Sequence, residues 1–264
     1  MLALACSSEV LTPRDEGVAA EVHIHQYERG SHASAGFIRS KVPYRPELDE
    51  QLVHFALPPN AVEGSCRLDI PTPCTPTCNG QSEYCSHGAC VPFTPLQFEN
   101  GGPVSVTGSS IGPIALTFDE RLRIYRSDRS PLQPLYAGGD HLVVDAVGEW
   151  PIHAEVVAPA MPSLVTPLIL PVGAFTLQWE QPLAGEISVL LVAVGKNGDT
   201  VYIRCLDADR GALTIPASMM ARVPPPPRWL QLEVQRRTRQ RIRLGSGGLA
   251  VVTVASTLLR DRNE

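Results

Sequence analysis

The stretch Ile187-Ser-Val-Leu-Leu-Val-Ala-Val194, then Gly195-Lys-Asn-Gly-Asp199, then Val201-Tyr-Ile-Arg-Cys-Leu206, decides the fold class. The first run is apolar on both faces and reads as a central strand. The Asn-Gly pair supplies the positive-φ positions that a tight hairpin turn needs. The third run then returns as the partner strand, and Cys205, on the inward parity of Val201 and Ile203, is predicted to be buried or bridged.

The same signals recur outward from this hairpin. Phe175-Thr-Leu-Gln-Trp-Glu180 alternates, with Phe175, Leu177 and Trp179 inward. Downstream, Pro216 to Arg222 fits one or two helical turns opened by Pro, and Leu230 to Val234 and Leu249 to Ala255 complete the sheets. Upstream, Ala20 to Tyr27 places Ala20, Val22 and Ile24 on one face and Glu21, His23, His25 and Tyr27 on the other. Further strand-length runs are Leu52–Leu57, Val104–Thr107, Ile114–Phe118, Leu122–Tyr125, Leu142–Val147 and Ile152–Val157. Short runs separated by turn residues predict a sandwich or barrel. The Pro-punctuated stretch from Ala158 to Pro167 reads as an interdomain linker.

Composition narrows the function classes. The 264 residues hold 25 Pro and 21 Gly, and Pro at that frequency excludes a coiled coil. Hydrophobic residues reach 44% against 19% charged, which supports a packed core and argues against wholesale disorder. A net charge of −5 argues against a nucleic-acid partner. No run of about 18 apolar residues exists, so no stretch reads as a bilayer-spanning helix.

Of the seven cysteines, Cys74, Cys78, Cys85 and Cys90 crowd into one segment almost without aliphatic residues; Cys66 and Cys205 lie outside it. A segment that cannot bury a core needs covalent staples, and disulfides persist in oxidising compartments. Six cysteines leave many pairings open; an alternating pattern would join Cys74 to Cys85 and Cys78 to Cys90, leaving Cys66 and Cys205 for each other. The rival, a zinc site of these cysteines with His87, lacks the paired C-x2-C spacing of structural zinc sites.

The N-terminal Met1-Leu-Ala-Leu-Ala-Cys6-Ser-Ser8 resembles a bacterial lipobox. That resemblance implies that Cys6 is lipidated and becomes the first residue of the mature protein, with Ser7 to Gly17 as a polar tether. Five residues before Cys6 are fewer than the roughly 7–15 apolar residues of a secretory signal, so the true start is expected upstream. Ser7 after the acylated Cys implies, by analogy, an outer-membrane location. The segment around Trp179 resembles fibronectin-III and immunoglobulin-like sandwiches over about 165–256. The order of parts, from the Cys6 start through the Cys-rich insert and Tyr136 to Gly148 to Leu213-Thr-Ile-Pro-Ala217, is similar to lipoproteins of myxobacterial type, a family that brings no activity with it.

Three further motifs are candidate sites. Gly17, His23, His25 and Glu28 approach the first metal-binding motif of cupins, and two His at i and i+2 on a strand point the same way. The gap from His25 to Glu28 is one residue short of that pattern, Gly36 falls one position late, and only His32 and His54 offer supplements. A solvated strand face is the preferred reading. Gly108-Ser-Ser-Ile-Gly112 matches the hydrolase string G-x-S-x-G, yet Pro113 and a strand-like run follow where a helix is required. Arg237, Arg239, Arg241 and Arg243 recur at every second residue beside Arg236. If extended, they line one face and suit phosphate or carboxylate ligands; the preferred alternative is a charged edge strand. Trp179 is assigned to the core, Trp150 to core or rim, and Trp229, sharing parity with Gln231 and Glu233, is a candidate sugar platform.

The expectation is an all-β chain of two β-sandwich domains of immunoglobulin or fibronectin-III type. Residues 1–17 form the lipobox remnant and tether, 18–160 the first domain with a disulfide-rich insert at 66–92, and 165–264 the second. The expected role is non-enzymatic binding or surface structure in the cell envelope, without cofactor. The membrane is reached through the lipid, and surface polysaccharide or envelope proteins are the partners. A cupin-like metal enzyme using His23, His25 and Glu28 is one alternative. A carbohydrate-binding module using Trp229 and the Arg face is the other.

Overall fold

The computed structural model describes residues 17–43, 60–72, 74–79, 83–86, 88–92, 98–121, 123–127, 132–245 and 248–264. Within strands, the side chains at 17–19, 38–43, 83–84, 86, 91–92 and 98 are not described. The predicted strand at 52–57, His54, His87 and the Cys6 segment lie outside the described residues.

The described residues are almost all β, with a single helical turn, and Gly108 to Gly112 leads into a strand rather than the helix of a nucleophile elbow. The strands run β1 (Gly17–Tyr27), β2 (Gly30–Pro43), β3 (Ala61–Glu63), β4 (Cys66–Asp69), β5 (Glu83–Ser86), β6 (Ala89–Pro92), β7 (Phe98–Glu99), β8 (Val104–Thr107) and β9 (Ile114–Asp119). They continue with β10 (Ile124–Ser127), β11 (His141–Ala146), β12 (Ile152–Val157), β13 (Ser163–Leu164), β14 (Phe175–Glu180), β15 (Glu186–Gly195), β16 (Thr200–Ala208) and β17 (Ala212–Ile215). A single helical turn, α1 (Ala217–Met220), precedes the long hairpin of β18 (Arg228–Leu244) and β19 (Gly248–Asn263). Pro216 caps that turn rather than opening it from within.

Thirteen strands follow the order β12-β11-β8-β9-β10-β2-β1-β19-β18-β15-β16-β4-β3 in one sheet, with β7 added beside β2. The strands β13-β14-β17 form a small second sheet, and β5-β6 a separate ribbon. The hairpin around Asn197-Gly198 forms as predicted: Val192 lies opposite Tyr202, Val194 opposite Thr200, and Gly198 takes φ +86°. Beyond β12, the sheet curls so that this strand comes back against β18 and β19.

Two buried clusters occupy one face of this sheet. The first joins Ala20, Val22 and Ile24 of β1 to Val104, Val144, Ile152 and Trp150, and also to Ala250, Val252 and Val254 of β19. Trp150 stacks on Phe37 with ring centroids 5.6 Å apart, which assigns it to this core. The second joins Phe175, Leu177 and Trp179 to Ile187, Val189 and Leu191, with Cys66, Leu68, Leu232 and Val234. The stretch predicted as a linker runs from one core to the other: Ala158 is buried in the first, and Leu164 packs on the second.

The cores are therefore not drawn from consecutive halves of the chain. Cys66 to Asp69, assigned from sequence to the Cys-rich insert, is strand β4 of the main sheet and pairs with β16. Conversely, the end of the β18–β19 hairpin closes the first core. The physical reason is length: 17 and 16 residues make strands about 50–56 Å long, enough to span both units. The runs Leu230–Val234 and Leu249–Ala255 are only their most apolar parts.

The six described cysteines stand in three pairs: Cys66 with Cys205, Cys74 with Cys85, and Cys78 with Cys90. Cys66 and Cys205 face each other in register across β4 and β16, where both are buried. The other two pairs cross-link the β5–β6 ribbon to the loop before it.

Candidate functional site

Strand β19 pairs on one side with β1, in parallel, and on the other with β18, antiparallel. Register then dictates which side chains share the face opposite the two cores. His23 lies beside Thr253, which lies beside Arg239; the next row is His25, Ala255 and Arg237, and the next is Tyr27, Thr257 and Gln235. Small residues on β19 thus form a row between the imidazoles of β1 and the guanidinium groups of β18. β2 adds His32 directly opposite His25, and their rings meet edge to face with centroids 5.1 Å apart.

The row is dry. Thr253 and Ala255 are 0% exposed, and Gln235, Arg237 and His25 are 2%, 3% and 5% exposed. The solvated strand face expected for β1 is therefore only partly right, because His25 is buried. Gln235 Nε2 donates to His25 Nε2 at 3.3 Å and to Thr257 at 3.2 Å. His25 Nδ1 lies 3.2 Å from the Tyr27 hydroxyl. Glu186 of β15 accepts from Arg237 Nε at 2.9 Å and lies 3.6 Å from Arg239 Nη1. Burial alone would raise the Glu21 carboxyl. The hydrogen bond and charge of His23, with the charge of Arg239, outweigh it and hold the group below its ordinary value.

The predicted site residues are distributed as follows. His23 and His25 share one face, but His23 turns to Glu21 (3.4 Å), while Glu28 sits in the β1–β2 turn and accepts from Arg260 at 2.7 Å. Among the described residues, only Cys74, Cys78 and Cys90 bring three metal-ligating atoms within 4.8 Å of one another. Each of those three is in a disulfide pair. Among the described residues, His23, His25 and Glu28 form no such group.

The four arginines do lie on one face of an extended strand. Arg237 and Arg239 are buried there, while Arg241 and Arg243 are exposed. The edge position applies to the run that follows Arg237. Arg228 to Arg237 pairs with both β15 and β19, and within β18 only Thr238 to Leu244 has a single hydrogen-bonded neighbour among the described residues. Trp229 is half-buried on the same face, but eight residues from Arg237, hence about 26 Å away. Trp229 and the arginines cannot grip one sugar unit together.

G-x-S-x-G is a hairpin loop between β8 and β9. Gly108 takes φ +82°, and a Cβ there would stand 1.9 Å from the His141 carbonyl oxygen. The Ser110 hydroxyl and amide both donate to Asp140 at 2.9 Å, and the Ala137 amide donates to the same oxygen at 2.8 Å. The motif's residues are thus occupied in closing loops.

One feature escaped the sequence reading. Arg236 has inward parity beside Val234, and its Nε donates to Asp209 at 2.7 Å with both side chains almost wholly buried. Asp209 also accepts from the Trp179 indole at 2.6 Å and from the Leu183 amide at 3.2 Å. A charge on the core parity of a strand was the available signal, since a buried cation needs a partner.

Searches against models of known protein families and against curated proteins find no match for this chain.

Proposed function

We propose that this chain is an exported protein of the cell envelope, tethered through a lipid on Cys6, that binds or builds rather than catalyses. The observation that carries the reading is the pairing of six cysteines, one pair across the main sheet and two within the insert. Such staples persist where thiols are not kept reduced. A non-catalytic role is supported by the candidate constellations themselves. Ser110 donates to Asp140 rather than to an imidazole, and Glu28 pairs with Arg260 rather than facing His23.

On this reading the two cores are two β-sandwich units of immunoglobulin or fibronectin-III type, close in sequence to 18–160 and 165–264, that exchange strands at their border. The anchor would suit an outer-membrane lipoprotein of the myxobacterial type that the sequence resembles, with surface polysaccharide or envelope proteins as partners.

Intact mass of the protein from its native host, before and after reduction and alkylation, tests this. A lipid-sized adduct on Cys6 and six thiols released only by reduction are expected. Seven free thiols without lipid would overturn it.

A further inference from the structure

We infer that the free edge of β19, from Leu258 to Asn263, takes up an extended peptide strand of a partner protein, whose aliphatic side chains enter the cleft beside it. This deepens the binding role proposed above and rests on it for the place where the partner is met. Register defines the edge. β1 pairs with β19 only as far as Tyr27 opposite Thr257, and then turns back into β2. Beyond Thr257, β19 runs on to Asn263 with β18 as its one neighbour among the described residues. Leu259 to Asn263 are all exposed.

The ladder fixes which backbone groups face the open side. Arg228 and Glu264 exchange both backbone hydrogen bonds. Alternation therefore turns the N–H and C=O of Leu258, Arg260 and Arg262 to β18, and those of Leu259, Asp261 and Asn263 outward. Arg260 Nη1 donates to the Leu259 carbonyl at 2.8 Å. The amides of Leu259, Asp261 and Asn263 and the carbonyls of Asp261 and Asn263 have no hydrogen-bond partner among the described residues. Such groups recur about every 6.6–6.8 Å, a spacing that another β-strand matches with its own carbonyls and amides. A lipid headgroup offers no matching row of donors.

Water serves such groups on many sheet edges, and what distinguishes this edge is the cleft beside it. A cavity of about 350 Å³ lies between the segment 164–168 and Arg260 to Arg262, within the roughly 300–1,000 Å³ of ligand clefts. Leu164 and Leu168 pack on the second core and Val165 is 59% exposed, so the wall opposite the edge is largely aliphatic. Arg262 Nη1 donates to the Leu168 carbonyl at 3.0 Å and ties the two walls together. Arg260 is paired with Glu28 and Arg262 with Glu264, so their charges are compensated and their stems favour an aliphatic side chain. A second copy of this edge does not fit, because antiparallel pairing about Asp261 sets Arg260 against Arg262 and Asp261 against itself.

The test is a heteronuclear NMR titration of the oxidised full chain with the peptide acetyl-TVTVTE-amide, whose valines share one face. The same peptide N-methylated throughout, which has no backbone donors, is the comparator. Saturable binding with slowed amide exchange at Asp261 and Asn263 is expected, and N-methylation should weaken it at least about tenfold. Asp261→Pro removes an outward donor without touching the β18 ladder and should weaken binding about tenfold. Val165→Asp, at an exposed position, should weaken it from the cleft side. If Asp261→Pro does not fold, Val165→Asp and the N-methylated peptide still decide. No binding, equal binding of the N-methylated peptide, or unchanged affinity in the folded variants would each overturn the inference. So would binding of phosphatidylglycerol vesicles in place of the peptide, or dimerisation through this edge in sedimentation. Thiol state and lipidation are read separately by mass, so failure here is distinguishable from failure of the envelope assignment.

Discussion

Replacing Asp209 by Ala removes one carboxylate from a site where four donors converge. Arg236 Nε stands 2.7 Å from it, the Trp179 indole 2.6 Å, and the amides of Leu183 and Gly211 3.2 and 3.3 Å. Side-chain exposure is 3% for Arg236 and 1% for Asp209, so the abandoned guanidinium cannot rehydrate without opening the sheet edge. Losing one partner of a buried pair costs about 3–5 kcal/mol, because the other charge is left uncompensated. Two effects bracket the figure here. Arg236 Nη2 keeps the carbonyls of Glu180 and Gln181 at 2.6 and 2.5 Å, which softens the loss. Gln181 holds a left-handed backbone, φ 54°, whose carbonyl orientation depends on that same guanidinium, which adds to it. A loss of about 4 kcal/mol is expected, a large share of the roughly 5–15 kcal/mol that holds a domain folded. Equilibrium urea unfolding of the oxidised protein, followed by tryptophan fluorescence, measures it. The double variant Asp209→Leu, Arg236→Met should recover part of the loss, since it leaves no stranded charge, while the Trp179 indole and the Leu183 and Gly211 amides still lack their acceptor. A loss below about 1 kcal/mol for Asp209→Ala, or a double variant as unstable as the sum of the singles, would refute the reasoning.

Replacing both Cys66 and Cys205 by Ala opens a loop spanning 139 residues and should cost about 3–5 kcal/mol in the same unfolding assay. A change under about 1 kcal/mol would mean that the sheet alone orders β4. Gly108→Ala should lower stability by more than about 1–2 kcal/mol, because the new Cβ meets the His141 carbonyl and the residue has φ +82°; an unchanged melting temperature contradicts this. The Asp140 carboxyl is held below its ordinary range first by the Ala137 amide; burial, next in size, opposes this, and the Ser110 amide and hydroxyl add to the lowering. Its folded value being depressed, its contribution is full above about pH 4 and is lost as pH falls through the folded value. Asp140→Asn should therefore flatten the acid limb of a stability-against-pH curve, and an identical limb in the variant would exclude Asp140 as a source.

Much of the secondary structure was legible because alternation is a local property. Ala20, Val22 and Ile24, or Phe175, Leu177 and Trp179, announce their inward face within six residues, and an Asn-Gly pair announces a turn. Strand β2 was not legible. Its Ser31-His-Ala-Ser-Ala-Gly run is built from small residues that carry no apolar stripe, and it is ordered by pairing with β1. The site was legible only in pieces. His23 with His25 and the Arg237–Arg243 series each stood out by spacing, yet each suggested a separate chemistry.

Local sequence therefore suffices for the all-β class, the hairpin at Asn197-Gly198, the stapled insert and the inward parity of the strands that alternate, all set within a few residues of chain. What the tertiary structure decided is adjacency. The parallel pairing of β1 with β19 brings His23 beside Arg239 across Thr253, and β4 to β16 brings Cys66 to Cys205. Pairings across more than a hundred residues depend on which strands close a common core. That choice rests on the summed burial of both faces of a sheet, which no local pattern encodes.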